Sequence, residues 1–108
     1  RGFTNSLLSI WGSSATDVFA VGDGGTILHY DGSAWSAMNS STTNSLNSVW
    51  GSSATDVFAV GPYGTILHYD GSAWSAMTSG TVNWFEGVWG SSTTDVFAFG
   101  ADGMILHY

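Results

Sequence analysis

Histidine recurs at a spacing of 39 residues, as His29, His68 and His107, each inside an Ile-Leu-His-Tyr run. Imidazoles ligate metals and move protons near neutral pH, so a repeated histidine invites both chemistries. Asp17, Asp56 and Asp95 recur with the same period, each opening Asp-Val-Phe-Ala. Spacing alone argues against a shared metal. Stacked sheets lie about 10 Å apart, whereas zinc ligands sit about 2 Å from the ion. Equivalent histidines on successive sheets therefore do not converge, and each is expected to hydrogen-bond a neighbouring loop. Each aspartate is expected to accept N–H groups from the turn before it. Calcium needs about six to eight converging oxygens, and one aspartate per turn falls short. No metal and no cofactor is expected.

Nucleophilic chemistry finds no better footing. Serine is abundant, but none lies in a Gly-x-Ser-x-Gly setting and none shows a His–Asp relay in the sequence. Glu86 is the only glutamate, so no paired carboxylates stand out for acid–base work. The absence of cysteine excludes disulfides and thiolate metal sites. No catalytic residue is assigned, and the chain is not expected to be an enzyme. Asn39-Ser40-Ser41 fits a glycosylation sequon, a short pattern of low specificity.

Tryptophan is the other repeated group with chemical meaning, because an indole face suits the C–H face of a pyranose. Trp11, Trp50 and Trp89 each precede a glycine and are expected to pack between repeats. Trp35 and Trp74 lie among Ser and Asp, where sugar stacking and packing both remain open.

Charge narrows the partners. The 108 residues carry 8 acidic groups and 1 basic group, for a formal net charge of −7. A nucleic-acid backbone or an anionic membrane needs counter-charge, so neither is expected as a partner. No apolar run approaches the ~20 residues that cross a bilayer, and no signal segment opens the chain. Membrane insertion is not expected. The first residue is Arg rather than Met, as in a processed or excised piece. With 44% hydrophobic residues the chain should be ordered. Few charges and many Ser and Thr suit a secreted or cell-surface module.

Internal repetition dictates the architecture that must hold these residues. Residues 9–38 match 48–77 except at Ile10/Val49, Asp23/Pro62 and Gly24/Tyr63. Residues 89–108 follow 50–69 closely. The chain divides into an N-terminal segment (1–6), a first repeat (7–45), a second (46–84) and a truncated third (85–108). Each full repeat reads as four short strands rich in Val, Ile, Phe and Trp and punctuated by Gly, Asp and Ser. In the second repeat these are 46–51, 56–61, 64–69 and 73–77. Asp56-Val57-Phe58-Ala59-Val60-Gly61 is apolar on both faces, so its sheet must lie between neighbours. The expected fold is all-β: a β-propeller of four-stranded antiparallel blades, with eleven strands or about 2.75 blades per chain.

The motifs carry a family resemblance. Ser48-Val49-Trp50-Gly51, then Asp56 to Gly61, then Gly64-Thr65-Ile66-Leu67-His68-Tyr69-Asp70-Gly71-Ser72-Ala73-Trp74, resembles the repeat of bacterial photosystem II assembly/stability-factor-like propellers. That repeat is related to Asp-box (BNR-type) blades. The resemblance implies a propeller fold. His29 and His68 stand where the Asp-box usually has Ser or Thr, and nothing here matches an arginine-rich docking patch. The photosynthetic role is therefore not carried over.

Propellers typically close with about 4–8 blades, so the ring is expected to close with a second copy, giving six blades, or with further blades of a longer chain. The N-terminal Arg1–Asn5 could replace a missing outer strand. The repeats differ most at 23–24/62–63/101–102 and at 39–45/78–84, in loops expected on one face of the disk. Loops on a rigid scaffold commonly carry binding. Tyr63 and Trp84 stand where the first repeat has Gly24 and Ser45. With Asp23, Asp102, Trp35 and Trp74, they are the candidate ligand-binding residues. The sequence thus favours a non-catalytic binding module, lectin-like, taking glycans at repeated inter-blade sites. The alternative is a structural or filament-forming repeat without a small ligand.

Overall fold

The computed structural model describes residues 6–108. In the first repeat, β1 (Leu7–Ser14) turns into β2 (Asp17–Gly22), and one 3₁₀ turn (Asp23–Gly25) leads to β3 (Ile27–Tyr30) and then β4 (Trp35–Met38). The second repeat forms β5 (Ser48–Ser53), β6 (Asp56–Val60), β7 (Ile66–Tyr69) and β8 (Trp74–Ala76). The third forms β9 (Phe85–Ser92), β10 (Asp95–Gly100) and β11 (Ile105–His107). Each repeat is a separate antiparallel sheet with its strands in chain order. The all-β blade architecture is that expected from the repeat. The strand-donor role considered for Arg1–Asn5 lies outside the described residues.

Side-chain chemistry fixes the turns. Asp31 Oδ1 accepts the N–H groups of Ser33 at 2.8 Å and Ala34 at 3.0 Å. This closes the β3–β4 connection around Gly32, whose φ of 99° suits a residue without Cβ. Asp70 and Gly71 repeat the device between β7 and β8.

Register then lines up rings across each sheet. Trp11 lies opposite Phe19, and Phe19 opposite His29. Their ring centroids are 6.2 and 4.6 Å apart. The same Trp–Phe–His row crosses the second sheet (Trp50, Phe58, His68) and the third (Trp89, Phe97, His107).

The core lies between sheets. One apolar cluster joins Phe19, Val21 and Ile27 of the first repeat to Leu46, Val49, Val57 and Trp74 of the second. Another joins Phe58 and Val60 to Phe85, Val88, Val96 and Ala98 of the third. Two polar contacts repeat at both seams. Leu46 N–H donates to Gly22 C=O at 3.0 Å, and Phe85 N–H to Gly61 C=O at 3.1 Å. Ser9 Oγ accepts Val49 N–H, and Ser48 Oγ accepts Val88 N–H, each at 3.2 Å.

The Trp-Gly dipeptide is the key of each seam. The Trp11 ring lies on Gly51 so closely that a Cβ there would stand 2.7 Å from it, and Trp50 meets Gly90 with 2.6 Å in the same sense. Glycine is required because the neighbouring indole occupies the place of a side chain. Gly51→Ala should therefore cost about 1–3 kcal/mol, the usual range for overpacking. In a Trp11→Ala background the added cost should shrink, a non-additivity that a double-mutant cycle of denaturation midpoints measures. Strict additivity would show that the ring does not dictate the glycine.

Candidate functional site

The histidines and aspartates meet inside each sheet. Asp17 lies two residues before Phe19 on β2, so both side chains share one face. His29 stands opposite Phe19 on β3. This brings His29 Nε2 within 2.6 Å of Asp17 Oδ1, while Ser13 Oγ donates to Asp17 Oδ2. The second sheet repeats the set as Ser52, Asp56 and His68, and the third as Ser91, Asp95 and His107. The expected partners were different: a neighbouring loop for each histidine and preceding N–H groups for each aspartate. Strand register pairs the two groups instead.

These trios are not catalytic relays. The aspartate is central and accepts from both neighbours, so the serine hydroxyl is not aimed at the imidazole. A relay needs histidine between the other two. Among the described residues, no three His, Asp or Glu side chains are grouped to hold a metal ion. Each trio pins the outer end of the aromatic row to the turn between the first two strands. Burial acts to raise the Asp17 and Asp56 carboxyls, but hydrogen bonds outweigh it and hold both below the ordinary value. For Asp17 the donors are His29 and Ser13; for Asp56 they are Ser52, Thr93 and His68. Asp95 is lowered by Ser91 and His107.

The variable loops share one face. Ser40 Oγ donates to Gly25 C=O at 2.7 Å, and Gly64 N–H donates to Asn83 C=O at 2.8 Å. The turn after the second strand thus touches the linker after the fourth in both full repeats. At the first seam Ser45 Oγ donates to Asp23 Oδ1 at 3.3 Å. At the second seam Tyr63 meets Trp84 edge to face, with centroids 5.7 Å apart and ring planes at 65°. Both rings face solvent, 62% and 53% exposed. Tyr63 holds a φ of 61°, where the first repeat uses Gly24 at 69°. A bulky residue there costs on the order of 1–3 kcal/mol.

The six candidate ligand residues therefore do not form one site. Tyr63 and Trp84 come together, and Asp23 faces Ser45 at the other seam. Asp102 sits at a φ of 63° on the third sheet's turn, whose Ala101 N–H donates to Trp84 C=O. Trp35 and Trp74 lie opposite Tyr30 and Tyr69, at the far ends of their strands from this face. Trp74 is 5% exposed and packs on Phe19 and Tyr69, so the sugar-stacking role considered for it is corrected to interblade packing. Trp35 lies beside Tyr30 with centroids 5.4 Å apart and ring planes tilted by 38°.

Solved structures similar to this chain include two of YCF48. One is titled YCF48 bound to D1 peptide; it has a TM-score of 0.80 and 18% identity, and the match covers 97% of this chain and 38% of that one. The other, YCF48 from Cyanidioschyzon merolae, has a TM-score of 0.83 and 18% identity, covering 100% and 39%. The chain thus spans well under half the length of either structure. No family model and no curated protein matches it. At this identity the likeness shows the fold, and it agrees with the propeller resemblance of the blade motif.

The lowered carboxyls set a direction for acid. A depressed folded pKa gives stability that is full above the unfolded value of about 3.9. That stability is lost as pH falls through the folded values. Denaturation midpoints should hold from pH 7 to 5 and fall progressively below pH 4. Asp56→Asn should lower the midpoint at pH 7 and flatten this acid limb; an unchanged acid limb would remove Asp56 from its cause.

Proposed function

We propose that the chain is a non-catalytic binding module that takes an extended polypeptide segment against Tyr63 and Trp84. The exposed pair itself carries the reading. Both positions are filled by Gly24 and Ser45 in the first repeat, so the blade does not need these rings. Tyr63 is also held at a backbone angle that costs stability. Strain kept at an exposed loop is a mark of function. Tyr and Trp are the side chains that most often anchor protein contacts. The solved complex of a similar propeller with a peptide supports the same ligand class, and a net charge of −7 favours a basic segment. A glycan is the second ligand class, because either ring could stack on a pyranose.

Replacing both residues by those of the first repeat separates these readings. Tyr63→Gly and Trp84→Ser should keep or raise the melting temperature and weaken peptide capture at least tenfold. The probes are arrays of basic peptides containing aromatic residues, and arrays of glycans, read side by side. Capture of glycans alone would replace the peptide by a sugar. No capture, with both variants destabilised, would leave only a packing role for the pair.

The assembly reading rests on a different observation: each end sheet presents half of the seam found inside the chain. Trp89 is 56% exposed, as the indole that would cover a Gly12. Leu7 matches Leu46 and Phe85, and Gly100 matches the carbonyl partners Gly22 and Gly61. Head-to-tail pairing of two chains would seat Trp89 on Gly12 and Leu7 near Phe99 and Ile105, and further blades of a longer chain would meet the same two half-seams. One contact of the template is missing, since Gly87 stands where Ser9 and Ser48 accept. Sedimentation at micromolar concentration should give a dimer that Gly12→Ala and Trp89→Ala each convert to monomer. A well-folded monomer at that concentration would end the assembly reading.

A further inference from the structure

The loop face carries two different contacts at equivalent places on successive seams. At the first, Ser45 Oγ donates to the Asp23 carboxylate at 3.3 Å. At the second, Trp84 takes the place of Ser45 and meets Tyr63 at 5.7 Å. The backbone beneath is packed alike at both. A Cβ on Gly61 would stand 1.9 Å from Ser45 C=O, and one on Gly100 would stand 1.9 Å from Trp84 C=O. Asp23 and Tyr63 both lie in the turn after the second strand of their repeats, and both are exposed. The face therefore presents an acidic position and an aromatic position one blade apart, each at a seam inside the chain.

That spacing selects a backbone conformation for the ligand. Sheets packed face to face lie about 10 Å apart. Residues on the same side of a β-strand are about 7 or 13 Å apart, and neither spacing fits. A polyproline II helix turns once in three residues and rises about 9 Å in doing so. Its side chains three residues apart thus leave the same side at the spacing of adjacent blades. The aromatic position suits the same conformation. Tyr63 and Trp84 are inclined at 65°, so they form an open notch rather than a flat platform, and polyproline segments dock on aromatic-lined grooves. Such a segment is already extended, so it loses little order on a shallow surface.

We propose that the loop face takes a polyproline II segment, with a proline in the Tyr63–Trp84 notch and an arginine or lysine three residues away on the Asp23 carboxylate. This rests on the reading of Tyr63 and Trp84 as a peptide site. It adds the conformation of the ligand, its motif, and Asp23 as the residue that specifies the basic position. A carboxylate offers about four acceptor sites, so it can hold Ser45 and a guanidinium together. The net charge of −7 draws a cationic segment to the face. Gly24 and Ser45 leave the first seam without a notch, so the proline is directed to the second.

The test is NMR titration of the 108-residue chain with a synthetic nonapeptide of prolines around one central arginine. Saturable one-to-one binding is expected, with the ring signals of Tyr63 and Trp84 shifting while those of buried Trp74 stay put. Glutamate in place of the arginine should weaken binding at least tenfold. Glycine in place of the two prolines three residues from the arginine should weaken it more than glycine in place of the two prolines two residues from it. Asp23→Asn, which keeps an acceptor for Ser45, should weaken the arginine peptide at least fivefold and leave an all-proline nonapeptide unchanged. Tyr63→Gly should weaken both peptides. Equal loss at the two glycine spacings, or an Asp23→Asn variant that binds the arginine peptide as before, would overturn the motif. No binding at millimolar nonapeptide would overturn the conformation. If basic aromatic peptides free of proline still shift Tyr63 and Trp84, the peptide site stands without it; if they do not, both readings fall together.

Discussion

A sheet that is apolar on both faces has no solvent side, and every other feature of this chain follows from that constraint. A single blade cannot bury Phe58, Val60 and their row of rings within itself. It needs a neighbour on each side, as stacked repeats do. The Trp-Gly dipeptide makes the requirement specific. The indole of one blade takes the space that a side chain would fill in the next, so the spacing of blades is set by ring thickness against bare backbone. The seam hydrogen bonds from Leu46 and Phe85 then fix the vertical register. The loops on the variable face are held by this stack, which is why they tolerate a residue as poorly suited to its backbone as Tyr63.

Strand number, strand order and the Asp-Gly turns were legible in the sequence because each depends on local residue types. Interblade burial was legible from a strand with no polar face. The Ser–Asp–His trio was not, although a signal existed. Asp17 and Phe19 share a face by the two-residue period of a strand, and the hairpin register sets His29 opposite Phe19. Reading that register from the turn would have paired Asp17 with His29. Trp74 escaped for a different reason. Its neighbours in sequence are Ser and Ala, and its burial comes from Phe19, which lies in another repeat. Chemically identical positions also part company in space: Trp35 and Trp74 have the same local sequence, yet among the described residues only Trp74 has a neighbouring sheet packed on it.

The aspartate-centred trios show how a set of catalytic residue types can serve architecture alone. Two donors converge on one carboxylate, so the group is satisfied and has no lone nucleophile to offer. The arrangement joins the first turn, the second strand and the third strand at one point. Its repetition gives each blade the same pinned edge, while most of the variation lies at the opposite end of the strands. Asp23 with Ser45, and Tyr63 with Trp84, are two versions of one contact, polar at one seam and aromatic at the next.

Gly87 and Phe99 differ together from the other copies. A Cβ at Gly87 would run into the Phe99 ring, whereas the earlier blades combine Ser48 with Val60 and Ser9 with Val21. Near-identical repeats carry a hazard during folding, because a strand from one copy can pair inside another with almost no energetic penalty. The Gly–Phe exchange removes that degeneracy for the third blade. Its second strand would drive a phenylalanine into the serine of either earlier blade, and theirs would leave its glycine uncovered. Two compensating substitutions thereby give one blade an identity within a sequence that otherwise repeats itself, and they steer the chain away from mispaired folds.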